Sequence, residues 1–268
     1  MNLPLIQFAP WDKSFALNPD NLPLALGETM VVATETGLEA GPVVGFEDLS
    51  EQQLAGLNLN KKIDRQAAND DLQIIKDLNW EKERALETCR RLIKKHGLEM
   101  KLVDAVFSFD GQRLTFAFIA DGRVDFRDLV KELGREFQKI IRLHQIGVRD
   151  EAKMKGDIGC CGLIQCCQSH LKKLGNVVSE FAEDQQVVHR GSERLSGICG
   201  RLKCCLAYEE PLYAELNKKL PAIGSSIKTK YGKGEIIGWH TLKGTVDVEI
   251  SPEKEGERPL IVEVPIDD

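Results

Sequence analysis

The feature that most constrains this chain is a nine-residue cysteine pattern that occurs twice. Gly159–Cys160–Cys161–Gly162–Leu163–Ile164–Gln165–Cys166–Cys167 and Gly197–Ile198–Cys199–Gly200–Arg201–Leu202–Lys203–Cys204–Cys205 align without a gap as G-x-C-G-x-Φ-x-C-C, 38 positions apart. Seven of the eight cysteines fall in this region. A chain carrying such a duplication must fold two similar local units, and the chemistry of those units is sulfur chemistry. Free cysteine serves elsewhere as buried filler. Six thiols in two matched triplets exceed what packing needs, which favours ligation of a metal or cluster, with core filler and regulatory thiol or disulfide chemistry as the alternatives.

Glycine after the first cysteine lets the backbone turn close to a bound group. If the residues between are helical, the C-C pair lies about one and a half turns further on. Two halves packed about a pseudo-twofold axis would then bring four sulfurs together, enough for tetrahedral zinc or one iron–sulfur cluster. Adjacent helical residues diverge by about 100°, so one member of each C-C pair is expected to pack inward. The candidate ligands are Cys161, Cys166, Cys167, Cys199, Cys204 and Cys205. Cys160, whose counterpart is Ile198, and His170, three residues after Cys167, are possible additions. Cys89 lies on the apolar stripe of a long helix and reads as core. Spacing does not separate zinc from iron–sulfur.

Composition narrows the class. With 42% hydrophobic and 29% charged residues the chain is an ordinary globular one, and no run approaches the roughly 20 apolar residues of a membrane span. The start Met1–Asn2–Leu3–Pro4 has no secretory signal pattern, so a cytoplasmic protein is expected, with thiols kept reduced. A net charge of −6 argues against indiscriminate nucleic-acid binding. A local basic face remains between Lys131 and Lys155. Arg142, Arg149 and Lys153 there, with Arg201 and Lys203 in the second motif, are the candidates for an RNA or partner surface. The alternative for that stretch is a solvated helix face. No P-loop, G-x-S-x-G elbow, H-E-x-x-H pattern or paired-carboxylate site competes with the cysteines, so the reading is non-enzymatic.

Periodicity predicts an α+β fold: a central mixed sheet with helices, a cysteine-rich region of short helices and loops, and small SH3-like β modules at the chain ends. Thr29–Thr34 and Gly41–Gly45 are strand-like, and Gly224–Ile250 rhymes with them. Asp64 to His96 reads as one long helix with an apolar stripe through Leu72, Ile75, Leu78, Leu86, Cys89, Leu92 and Ile93, stopped at Gly97. Asp110–Gly111 signals a hairpin in which both positions need φ > 0. Asp125 caps a helix through Phe137, and Ile140–Leu143 returns as a strand. The organisation expected is 1–60, an N-terminal β module; 61–210, the α+β core with the duplicated motif; and 221–268, a barrel-like C-terminal module.

Several stretches resemble the YaaT/RicT family, whose core is called the polymerase-suppressor (PSP-one) C-terminal domain. They are Lys95 to Asp104, Phe109–Asp110–Gly111, Ala120 to Arg127, Gln145 to Lys153, and the cysteine segments around Cys161 and Cys199. The resemblance runs from about Leu5 to Glu210. Cys160 stands where the family usually has Pro, and Leu163 where it has Arg. The resemblance implies a cytoplasmic, non-enzymatic regulator working in a complex with small helical partner proteins. It implies a 4Fe–4S iron–sulfur cluster, held alone or shared with those partners. It also implies action on an endoribonuclease Y-type nuclease in messenger-RNA processing, and on phosphorelay signalling. An RNA-binding module is the second reading and a thiol redox protein the third. No membrane insertion is expected.

Overall fold

The structure, a computed structural model, describes residues 2–17, 24–48, 62–171, 174–251 and 258–266. The chain divides into two compact units, Met1–Met154 and Lys155–Asp268. The boundary falls just ahead of the first cysteine motif.

In the first unit, alternation of apolar and polar residues sets up an antiparallel sheet of β1 (Asn2–Ile6), β2 (Phe15–Ala16), β3 (Thr29–Thr34), β4 (Gly37–Asp48) and β5 (Lys62–Gln66), in the order β2-β1-β4-β3-β5. The twelve residues of β4 pair with β3 through their first half and with β1 through their second. Gly41 makes that crossing possible. A Cβ there would stand 2.2 Å from the Gln7 carbonyl oxygen. Ile6, Leu17, Met30, Val32, Val43 and Ile63 form the buried face. Residues 49–60 of the expected N-terminal module lie outside the described residues.

The central layer pairs a long helix with a three-stranded sheet. Helix α1 spans Asn69–Lys95, and β6 (Lys101–Phe107), β7 (Arg113–Ile119) and β8 (Ile140–Gln145) make a mixed sheet, antiparallel between β6 and β7 and parallel between β7 and β8. Helix α2 (Arg127–Phe137) is the crossover that a parallel pair requires. Ala85, Leu86, Cys89, Leu92 and Ile93 of α1 pack with Ala105, Leu114, Phe116, Leu129 and Leu133. A short helix, α3 (Val148–Lys155), follows β8. The two sheets are tied by Arg113. Its buried guanidinium forms an ion pair with Glu39 of β4 and donates from Nη1 to the Thr36 carbonyl at 2.9 Å.

Five expectations need correcting. Asp64 belongs to strand β5, because the helix starts only where the Asp71 carboxylate can accept the Ala68 N–H, at 2.8 Å. The stripe through Leu72, Ile75 and Leu78 is not core: those residues are exposed or half-buried, and burial along the helix becomes continuous only from Ala85. In the β6–β7 loop only Gly111 takes positive φ (+68°), since five loop residues, not two, make the connection. The terminal β modules are present as sheets, and among the described residues neither is a closed barrel. Asp125 stands one residue ahead of the N-cap, which is Phe126 and has no side-chain cap; the Asp125 carboxylate instead accepts the Arg127 N–H at 3.2 Å.

The second unit carries the cysteine region with α4 (Glu180–Asp184), a single 3₁₀ turn (Val188–Arg190), α5 (Ser192–Leu195) and α6 (Cys204–Asn217). A meander of β9 (Ser226–Thr229), β10 (Gly232–His240), β11 (Thr245–Ile250) and β12 (Leu260–Pro265) follows. Ile236, Val246 and Val248 are its core. The meander is tied back by side chains: the Trp239 N–H donates to Gln186 Oε1 at 3.1 Å, its indole to the Pro221 carbonyl at 2.8 Å, and Thr241 Oγ1 to Asn217 Oδ1 at 2.8 Å.

Candidate thiol site: two cysteine knuckles

The duplicated sequence folds twice into the same loop. In the first copy Ile158 and Ile164 form an antiparallel bridge, and in the second Ser196 and Leu202 do. Within the first, the Gly159 N–H donates to the Leu163 carbonyl (2.8 Å), Gly162 to Gly159 (2.9 Å), Gln165 to Asp157 (3.2 Å) and Gln168 to Gln165 (3.0 Å). In the second, Gly197 donates to Arg201 (2.8 Å), Gly200 to Gly197 (2.9 Å), Lys203 to Leu195 (2.9 Å) and Leu206 to Lys203 (3.2 Å). Every one of these bonds is its counterpart displaced by 38 positions. Gly162 and Gly200 sit at φ +79° and +74°, a conformation a side chain at either site would strain. The residues between the first cysteine and the pair therefore form a bridged turn, a knuckle, and not the helix expected from spacing. The two glycines and the bridge turn the chain back before a helical turn can form.

The knuckle places its thiols distinctively. A Cβ built on Gly159 would lie 3.4 Å from the Cys161 sulfur, and one on Gly197 3.8 Å from the Cys199 sulfur, so each leading thiol curls back over its own loop. Cys160 and Cys161 are exposed; Cys166, Cys199, Cys204 and Cys205 are half-buried; Cys167 is buried. Of the first C-C pair one member does pack inward, as expected. In the second pair Cys204 and Cys205 open α6 and both stay partly accessible. Burial pushes the Cys205 thiol up, with Glu209 and then Cys166 adding to the shift, while Lys203 and a backbone hydrogen bond oppose it. That Cys166 acts on Cys205 brings one thiol of each knuckle within electrostatic reach of the other. All eight cysteines are free thiols.

Soft anionic sulfur is the donor chemistry that zinc and iron–sulfur clusters take, and the knuckles supply it. Among the described residues, however, no three Cys, His, Asp or Glu side chains are arranged to hold a metal ion. The donor set fits such a group; its arrangement is not a closed coordination sphere. His170 packs edge-on against Tyr208, with centroids 5.1 Å apart, and its Nδ1 lies 3.1 Å from Ser169 Oγ.

One neighbour escaped sequence reasoning. Gln165 is buried, its Oε1 accepts the Cys167 thiol at 3.6 Å, and its Nε2 has no hydrogen-bond partner among the described residues. Its place two residues before the last cysteine, matched by Lys203 in the second copy, is the only signal it left. The basic candidates scatter over several elements. Arg142 is exposed on β8, Arg149 and Lys153 are half-buried on α3, Arg201 is exposed at the second knuckle, and Lys203 donates to the Arg194 carbonyl. Lys131 pairs with Asp128 and Lys139 donates to the Gly111 carbonyl, so Lys131–Lys155 is not one helix face.

A PSP1-type core followed by paired cysteine knuckles defines the class, and comparison with known proteins agrees. Residues 61–146 match the PSP1 C-terminal conserved region and 176–220 match the third domain of PSP1-like proteins. Over 245 residues, 91% of this chain and 88% of the relative, the sequence is 39% identical to the stage 0 sporulation protein YaaT of Bacillus subtilis. The chain belongs to the YaaT/PSP1 family. An uncharacterized protein of Schizosaccharomyces pombe is 24% identical over 51% of this chain and 22% of its own length. Protein PSP1 of Saccharomyces cerevisiae is 43% identical over 18% of this chain and 6% of its own. No solved structure matches. No helix among the described residues is long and apolar enough to cross a membrane.

Proposed function

We propose that this chain is a cytoplasmic, non-enzymatic regulatory adaptor whose working element is the pair of cysteine knuckles, and that, like the sporulation protein it resembles, it acts in developmental control. In this reading the knuckle thiols hold an iron–sulfur cluster, with zinc as the alternative occupant. The small helical partners of the complex complete the site, and the assembly modulates endoribonuclease-dependent messenger-RNA processing and phosphorelay signalling. The observation that carries the reading is the bond-for-bond repetition of the knuckle. Core filler needs no duplicated backbone, whereas a site built from two half-sites does. When bound, such a group supplies folding free energy and a redox- or metal-responsive state. The open arrangement of the thiols is what a site finished by a partner would leave in the isolated chain.

The test is purification without oxygen from the native host, with its partners, followed by metal and acid-labile sulfide analysis and visible absorption. A coloured complex that bleaches in air supports the cluster, and a colourless zinc-loaded one supports the alternative. A colourless, metal-free complex overturns ligation.

A further inference from the structure

The β9–β10 hairpin carries three lysines that pair with no carboxylate among the described residues. Lys228 and Lys233 are direct cross-strand partners, and Lys230 occupies the turn between them. Like charges facing each other across an antiparallel pair are destabilising. Some lysines elsewhere are matched: Lys82 with Asp104, Lys95 with Glu132, Lys101 with Glu151, Lys243 with Glu263. Among the described residues none of Lys228, Lys230 and Lys233 has a carboxylate partner, in a chain whose net charge is −6. The acids of this sheet lie lower down, where Glu235 faces Ser226 on one side and Glu249 on the other. Among the described residues, that leaves the tip positive.

An aromatic ring completes the tip. Tyr231 is 53% exposed, with the Lys230 ammonium 5.0 Å from its ring centroid. The turn is fixed, since Thr229 Oγ1 accepts the Tyr231 N–H at 3.1 Å and donates to the Gly232 carbonyl at 2.9 Å. The hairpin is also drawn down onto β11: a Cβ at Gly234 would meet the Glu249 carbonyl and Val248 Cγ1 at 2.6 Å. A fixed cluster of ammonium groups, without a carboxylate partner among the described residues, around a presented ring matches a strand of phosphates whose bases are free to stack.

We propose that the Lys228–Lys233 hairpin tip is a binding site for single-stranded nucleic acid, with the three lysines on phosphates and Tyr231 stacked on a base. The proposal does not depend on the cysteine reading. The experiment is fluorescence anisotropy of the full chain with labelled oligomers of about ten nucleotides, RNA in one arm and DNA in the other. Three phosphate contacts predict a slope of log affinity against log salt of about −2. Lys228→Glu/Lys230→Glu/Lys233→Glu is expected to weaken binding about tenfold or more and flatten that slope. Tyr231→Ala is expected to weaken it about fivefold or more while Tyr231→Phe retains it. Lys243→Gln, at an ammonium already matched by Glu263, leaves affinity unchanged. The stronger arm identifies the natural strand. Absence of binding, preference for a duplex, or heparin competing as well as the oligomer with Tyr231→Ala neutral would each overturn the site.

Discussion

Cys89 and the knuckle cysteines are the same side chain in two unlike regions. Cys89 is fully buried in α1 among Ala85, Leu92 and Phe116, and burial pushes its thiol up to about 12. Between Lys155 and Leu220 the buried apolar side chains are only Cys167, Ala182 and Leu206, among the described residues. There Ile158, Leu163, Ile164 and Ile198 stand 61–70% exposed around the thiols. The first region is held by apolar burial and the second by backbone hydrogen bonds, glycines and a few amides. A segment with so little core needs another source of stability, which ligation or a partner surface would supply in the function proposed above.

The contrast can be broken. Phe116→Ala should cost the first unit about 4 kcal/mol, read from hydrogen exchange of α1 and β7 amides in urea, and leave knuckle thiol reactivity unchanged. Coupled loss of both would show that the regions are not separately held. Arg113→Ala strands Glu39 and should cost about 3 kcal/mol in the same assay; a change below 1 kcal/mol would remove the ion pair as the tie between the two sheets.

Cys89 offers a pH test. Its folded pKa is raised, so its contribution is fully present below the unfolded value of about 8.5 and is lost as pH rises from there toward 12. Urea stability should fall by about 2 kcal/mol more between pH 8 and pH 10.5 in the wild type than in Cys89→Ala, and equal slopes would contradict the assignment. The smallest effect belongs to Gln138, which ends α2 at φ 52°. Gln138→Gly should stabilise the first unit by about 1 kcal/mol, and a loss instead would show that the amide side chain matters more than the strain.

The sequence made the duplication, the α1 core face around Cys89, the mixed sheet and the Gly97 stop legible, because each is written in residue type and period. It hid the knuckle, since a bridged turn has no periodicity and competes with helix over so few residues. It hid the exposed start of α1, whose stripe looks the same whether or not a sheet lies beneath it. The Arg113–Glu39 tie was also hidden, because it joins hairpins that only tertiary structure brings together. Gln165 reads as an arbitrary spacer until its amide is found facing Cys167.

The central claim is that both knuckles serve one centre, and metal content of knuckle variants tests it directly. Oxygen-free complexes carrying Cys161→Ser/Cys166→Ser, or Cys199→Ser/Cys204→Ser, should each lose all the iron or zinc the wild type holds. If either pair of substitutions leaves half the metal in place, the knuckles are independent sites and the shared centre is wrong.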